Sequence, residues 1–246
     1  MRMLVPAMLL LASLTPRTSP VSGEEVIREM HQRYEGKWVR SFTFEQKTTL
    51  SDGSVETWYE AAELPGKLRI DIATPPAGRA LLFRADSLYM YRNGRRGRGG
   101  PFTHPLLLVL YDLHFLPPDA TIAKLRGLGF DLSKSHETTW EGKPVVVVGA
   151  QAGDTTSAQI WIEKARLLPV RMLEKSASGM ADHRIGGYEA AGQGWGERRI
   201  ETWENGKRTQ IEEYSNVRLH VTHEPGLFEP SMEYTVPQWV AARKGT

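Results

Sequence analysis

Residues 105–116 read Pro-Leu-Leu-Leu-Val-Leu-Tyr-Asp-Leu-His-Phe-Leu. Leu106, Leu107, Leu108, Val109, Leu110, Tyr111, Leu113, Phe115 and Leu116 put apolar groups on every side of a helix over this stretch, and Pro117-Pro118 ends it. A helix apolar all round must be covered all round, by lipid or by protein. Twelve residues at a rise of about 1.5 Å give roughly 18 Å, well short of a bilayer core of about 30 Å. Protein has to do the covering, and a concave surface is the shape that can. Two uses of such a helix stay open: a permanent core plug, or a lid over a cavity that holds an apolar ligand when it lifts.

The flanking sequence supplies the surface. Glu24 to Glu35 has helical spacing of Val26, Ile27, Met30 and Tyr34, with acids at its N-terminal end and Gly36 to stop it. The period then drops to two. In 37–50, Trp38, Phe42, Phe44 and Leu50 share one parity, diluted by Arg40, Gln46 and Thr48. Asp52-Gly53 predicts a hairpin and 54–63 its return strand. Leu68, Ile70 and Ile72 alternate with Lys67, Arg69 and Asp71 as a half-buried strand. Strands at 80–84 and 87–92 and a turn at Asn93-Gly94 complete an antiparallel meander.

Beyond the apolar stretch, Pro118 pre-organises a short helix over 119–126. Strands are expected at 145–148, 158–164 and 169–175, and weaker ones around 183–190, 196–204 and 207–221. Thr139-Trp140-Glu141-Gly142-Lys143 and Thr202-Trp203-Glu204-Asn205-Gly206-Lys207 read as hairpin turns of one geometry. No low-complexity linker divides the chain. The expected class is α+β: a long, curving antiparallel sheet with a helical insertion.

Residues 1–23 read as a secretory signal, with Arg2 before the apolar run Leu4–Leu14 and the small-residue pattern Val21-Ser22-Gly23 at its end. Cleavage is expected near Gly23, leaving 24–246 as a single domain exported to the periplasm. The chain has 31 basic and 29 acidic residues, and the segment takes away Arg2 and Arg17 and no acid, so the remainder is neutral. General attraction to nucleic acid is not expected. Zero cysteines exclude disulfides, thiol catalysis and thiolate metal sites.

The ordered set Phe42-Thr43-Phe44-Glu45-Gln46, Asp52-Gly53, Pro65-Gly66-Lys67-Leu68-Arg69-Ile70-Asp71, Pro75, Leu81 and Asp86-Ser87-Leu88-Tyr89-Met90-Tyr91 resembles the LolA-like family of periplasmic outer-membrane lipoprotein carriers and sorting proteins. Tyr214-Ser215-Asn216-Val217 and Leu227-Phe228-Glu229-Pro230 resemble the family's ending. The resemblance implies an unclosed half β-barrel with an N-terminal helix and lid helices over its mouth, which shields acyl chains in transit to the outer membrane. Where the dedicated carrier has an arginine that helps fasten the lid, this chain has Leu64. A relative that handles another lipid, or an envelope sensor of the RseB type, therefore stays open.

On that reading the cavity is lined by Phe42, Phe44, Trp58, Leu68, Ile70, Leu81 and Phe83, with Leu106, Leu107, Leu110 and Tyr111 from the lid. Arg92, Arg95, Arg96 and Arg98, interleaved with glycines, form a basic patch suited to docking on an anionic lipid surface or an acidic partner. Expected partners are the lipid or lipoprotein, an inner-membrane donor complex and an outer-membrane acceptor, with no nucleic acid. No cofactor or metal is expected: His220 and His223 are spaced for a helix face in an extended segment and have no acidic partners. His104 could act as a pH trigger only by virtue of its position. Glu56 and Glu60 share a face with Trp58 and read as a solvated edge, and no catalytic constellation appears, so an enzyme is not expected.

Overall fold

The computed structural model describes residues 22–73, 78–176 and 179–244. Apart from its last two residues, the expected signal segment lies outside them. Helix α1 (Gly23–Tyr34) starts on a capping box, in which the Ser22 hydroxyl accepts from the Glu25 amide and the Glu25 carboxylate accepts from the Ser22 amide. Its buried face is Val26, Ile27, Met30 and Tyr34, the periodic set of the sequence.

A first antiparallel meander follows: β1 (Ser41–Leu50), β2 (Val55–Glu63), β3 (Lys67–Ile72), β4 (Arg79–Arg84) and β5 (Ser87–Arg92), with the two-residue strands β6 (Arg95–Arg96) and β7 (Gly100–Pro101) both paired to β5. Then come α2 (Pro105–Leu110), a 3₁₀ turn (Asp112–His114) and α3 (Pro118–Gly127). The second meander runs through β8 (Asp131–Trp140), β9 (Lys143–Gly149), β10 (Gln159–Glu163), β11 (Leu168–Ser176) and β12 (Gly179–Gly186). A separate hairpin, β13 (Glu189–Ala191) and β14 (Gly194–Gly196), interrupts it before β15 (Arg199–Glu204) and β16 (Lys207–Leu219); α4 (Gln238–Lys244) ends the chain.

Among the described residues fourteen strands form one antiparallel sheet in the order β6-β5-β4-β3-β2-β1-β16-β15-β12-β11-β10-β9-β8, with β7 on the side of β5. The sheet curves without closing, because β6 and β8 at its two ends do not pair. The meanders meet at β1 and β16, in register from Phe42–Leu219 to Leu50–Gln210 across one irregularity at Thr43/Glu45. This is the α+β unclosed sheet expected from the sequence.

The apolar insertion is shorter as a helix than expected. It is six residues of α-helix, with Pro105 at its first position and His104 as its cap, and then a break at Tyr111 into the 3₁₀ turn. Its faces go to different neighbours, which accounts for a helix with no polar side. Leu108, Val109 and Leu113 pack with α1, α3 and the β9–β11 face around Val146, Val148, Ile160, Ile162 and Met172. Leu107 joins Phe42, Phe44, Leu68, Ile70 and Phe83 of the first meander, and Leu110 meets Ile185 and Ile200 between the two.

Three further differences have plain causes. Strand β1 begins at Ser41, so Trp38 precedes it and stacks on His114, with ring centroids 3.8 Å apart. Strand β8, unforeseen in the sequence, is an outer strand whose Ser, Lys, His, Glu and Thr residues are half in water and carry little hydrophobic alternation. The weak strand near 183–190 is displaced to Gly179–Gly186, because Glu189–Ala191 folds back into its own hairpin over Trp38. A Cβ on Gly194 would lie 2.8 Å from that indole, so only glycine allows the approach. The two similar Trp-containing corners are hairpins of one geometry: Glu141-Gly142 has φ of 49° and 76°, and Asn205-Gly206 has 49° and 75°.

The outer face of β2–β5 is covered by the C-terminal segment, where Leu227 and Phe228 pack on Ala61, Ala80, Leu82 and Tyr91. Arg69 and Asp71, alternating outward from β3, form a buried ion pair beneath it, 2.9 Å from Nε to Oδ2. Arg69 also donates to the carbonyls of Leu227 (3.1 Å) and Thr235 (2.8 Å). No helix among the described residues is long and apolar enough to cross a membrane.

Candidate functional site

Between the two meanders and beneath α2 lies a cavity of about 290 Å³, near the lower end of the usual range for small-molecule sites, about 300–1,000 Å³. Every residue expected from the sequence to face a cavity lines this one. Phe42, Phe44, Trp58, Leu68, Ile70, Leu81 and Phe83 come from β1–β4, and Leu106, Leu107, Leu110 and Tyr111 from the insertion. Strand pairing fixes this: Phe42 faces Ala62, Ala62 faces Leu68 and Leu68 faces Phe83, so one parity of four strands points inward. Phe102, 43% exposed, stands at the rim just after β7. A smaller cleft of about 30 Å³, walled by Trp38, Val39, Trp195 and Leu219, adjoins it through Phe42, Phe44, Tyr111 and Tyr214.

The insertion is held over the cavity by polar contacts at its C-terminal end. The Asp112 carboxylate accepts from the Gly66 amide at 2.8 Å, and His31 Nδ1 lies 2.9 Å from the Leu113 carbonyl. The Tyr111 hydroxyl donates to Glu197, and the Arg40 guanidinium sits 4.6 Å from the centre of the Phe115 ring. Leu64 is buried, and its carbonyl accepts from Arg40 at 2.7 Å. Arg40, just ahead of β1, thus links Leu64 at the end of β2 to Phe115 of the insertion. Burial pushes the Asp112 carboxyl up to about 6 against the lowering effect of the Gly66 amide. At its other end α2 is capped by His104, whose Nδ1 accepts from the Leu107 amide at 3.3 Å. The apolar surroundings hold that imidazole down at about 4, so it is neutral near pH 7 and does not switch there.

The sequence reading missed the polar part of the lining. Gln46, Glu60, Glu174, His183, Glu197, Thr202, Gln210 and Glu212 all contribute to the same cavity. Glu60 corrects the solvated-edge expectation directly. It is 5% exposed, on the inward parity between Trp58 and Ala62 and opposite Phe44. Glu56 is buried as well, accepting from Arg79 and from the Trp58 indole, each at 2.8 Å. Parity alone contained this signal: a carboxylate in step with Trp58 and Ala62 must follow them inward. Glu212 accepts from Gln210 at 2.6 Å and from the Tyr214 hydroxyl, while His183 lies 3.0 Å from both Glu174 and Thr202. Burial pushes the carboxyls of Glu60, Glu197 and Glu212 upward; at Glu60 the neighbouring Glu212 and Glu197 add to it, and at Glu197 and Glu212 hydroxyl donors oppose it.

The four arginines of the expected patch do not behave alike. Arg92, Arg95 and Arg98 are exposed. Arg96 is turned onto the C-terminal segment, where it donates to the Pro230 carbonyl and stacks 5.5 Å from the Tyr89 ring centre. His223 contacts the Ala62 carbonyl (2.9 Å), and His220 has a φ of 55° after β16. Among the described residues no group of three or more His, Asp or Glu is arranged to hold a metal ion.

Comparison with solved structures places this architecture. The chain is similar to a proposed outer membrane lipoprotein-sorting protein domain from Vibrio parahaemolyticus, with a TM-score of 0.56 and 15% identity over 84% of this chain and 96% of the other. It is also similar to a DUF1329 family protein from Desulfovibrio piger, at 0.53 and 14% over 84% and 95%. A LolA superfamily protein from Nitrosomonas europaea gives 0.49 and 11% over 82% and 96%. A scan of protein-family models and a search of curated proteins both find no match. At these identities the similarity concerns the fold. The chain has the fold of the lipoprotein-sorting and DUF1329 structures.

Proposed function

We propose that this protein is a periplasmic carrier that shields the acyl chain of a lipid or lipoprotein on its way to the outer membrane. The observation that carries the reading is the cavity under α2, walled by Phe42, Phe44, Leu68, Ile70, Leu81 and Phe83. Burying an alkyl chain there is worth about 0.8 kcal/mol per methylene, set against the contacts at Gly66, Glu197 and Phe115 that α2 and the turn must give up to admit it. On this reading the insertion serves as a lid as well as a plug, and no nucleotide is needed in the carrier itself. Residues 1–23 would be removed on export and 24–246 act as one domain. Removal of 1–23 also takes Ser22, the side-chain cap of α1, which is worth about 1 kcal/mol. The ligand would come from an inner-membrane donor and pass to an outer-membrane acceptor. Native mass spectrometry of gently purified protein should show a co-purifying lipid mass, or one acquired on incubation with a lipopeptide. A mass that stays clean after that incubation overturns the carrier reading in favour of an RseB-like interaction module.

Exposed Arg92, Arg95 and Arg98 precede the rim residue Phe102 and suit docking at an anionic bilayer. Each arginine near such a surface is worth about 1 kcal/mol, so changing these three to glutamine should weaken partition onto phosphatidylglycerol vesicles by on the order of a hundredfold and flatten its salt dependence. An unchanged partition coefficient in a vesicle-sedimentation assay rejects the docking role. Arg96 is left out of the variant because it anchors the C-terminal segment.

A further inference from the structure

Four glutamates and two histidines line the cavity, and neither lysine nor arginine does. Three of the glutamates have hydrogen-bonding neighbours: Glu197 has the Tyr111 hydroxyl, Glu212 has Tyr214 and Gln210, and Glu174 has His183. Glu60 is different. It has no hydrogen-bond or ion-pair partner among the described residues, and the charges that reach it are the like charges of Glu212 and Glu197. It is more than nine-tenths buried, yet stands on the wall of an open space instead of in packed core.

A buried carboxyl whose neighbours are other carboxyls is a costly arrangement. The rings around it say what would relieve the cost. Phe44 lies directly across the strand pair from Glu60, Trp58 two residues along the same face, and Tyr214 packs at a 52° tilt against Phe44 with centroids 4.9 Å apart. Carboxylate oxygens among aromatic faces match an alkylammonium ion, which takes a charge-assisted hydrogen bond from one and a cation–π contact from the other. A carboxylate or phosphate headgroup would meet four acidic side chains and no fixed cation.

We propose that the cavity takes an amphiphile with one alkyl or acyl chain and a primary ammonium group, with the ammonium seated against Glu60 and the chain among Phe42, Leu68 and Leu81. This rests on the carrier reading and narrows its ligand to an amine-bearing lipid. Burial favours the uncharged form of these acids, and at Glu60 and Glu197 the neighbouring carboxyls add to it. An entering ammonium restores the charge on Glu60 and displaces its proton to solvent, whereas an uncharged chain displaces none.

Titration calorimetry with dodecylamine, dodecanol and dodecanoate, each below its aggregation concentration and in two buffers of different ionisation heat, tests this. Dodecylamine should bind about tenfold tighter than dodecanol and release a proton that the alcohol does not. Dodecanoate should be the weakest. In Glu60→Gln the amine-to-alcohol ratio should fall to about one, while the unfolding temperature, recorded beside it, should stay level or rise because a buried acid has gone. Amine and alcohol binding alike in the native protein, dodecanoate binding tightest, or a ratio unmoved by Glu60→Gln overturns the ammonium site and leaves the carrier standing. No binding by any of the three overturns both.

Discussion

Replacing Arg69 by leucine should cost the protein about 3–5 kcal/mol, the usual consequence of leaving one member of a buried ion pair behind. Arg69 and Asp71 are 7% and 2% exposed, and the guanidinium donates to both carboxylate oxygens at 2.9–3.2 Å. The same guanidinium holds the Leu227 and Thr235 carbonyls and lies 5.6 Å from the centre of the Tyr234 ring, so its loss also loosens the segment over the outer face. Making both partners apolar, Arg69→Met with Asp71→Leu, should restore most of the loss in a urea titration, because the uncompensated charge is then gone. Equal losses in the single and double variants would show that the carbonyl contacts, and not the stranded carboxylate, set the cost.

The second large effect lies in the apolar insertion. Leu108 is 1% exposed and packs into the cluster built on α1 and the second meander. Leu108→Ala should therefore cost about 2–5 kcal/mol, as cavity-forming truncations in cores do. Leu106→Ala, at a half-buried position on the cavity wall, should cost under half as much and enlarge the space below. Chemical denaturation of the two variants side by side separates them. Comparable losses at both positions would mean that the insertion has a single kind of face and could not serve as cover for a removable ligand.

Much of this was legible in the residues. Where one face is wet and one dry, period reads the strand correctly, and β1–β5 with their turns follow from it. The run at 106–116, with apolar groups on every side, demanded shelter all round, and the structure supplies three different clusters. What sequence could not convey was the difference between solvent and an internal space. Glu60 looks water-facing by its charge, yet its parity mates are Trp58 and Ala62, and it follows them inward. Strand β8 was invisible because an edge strand has no dry face to advertise itself. Helix α4 begins just after Pro237 with a single buried valine, Val240, too short a signal for a periodicity to form. Arg96 differs from its three neighbours through hydrogen-bonding contacts to Pro230 and Met232, more than 130 residues away, and through the Tyr89 ring.

The seam between β1 and β16 has a consequence for how the molecule is made. Phe42 waits for Leu219 and Leu50 for Gln210, so the middle of the sheet is the last part that can pair as the chain is made. A chain emerging N-terminus first can complete its opening hairpins early but has an unsatisfied strand edge along β1 until nearly all of it has appeared. Pairings of such long sequence separation slow assembly and lengthen exposure to aggregation, which makes the growing chain, more than the finished one, a natural client for chaperones.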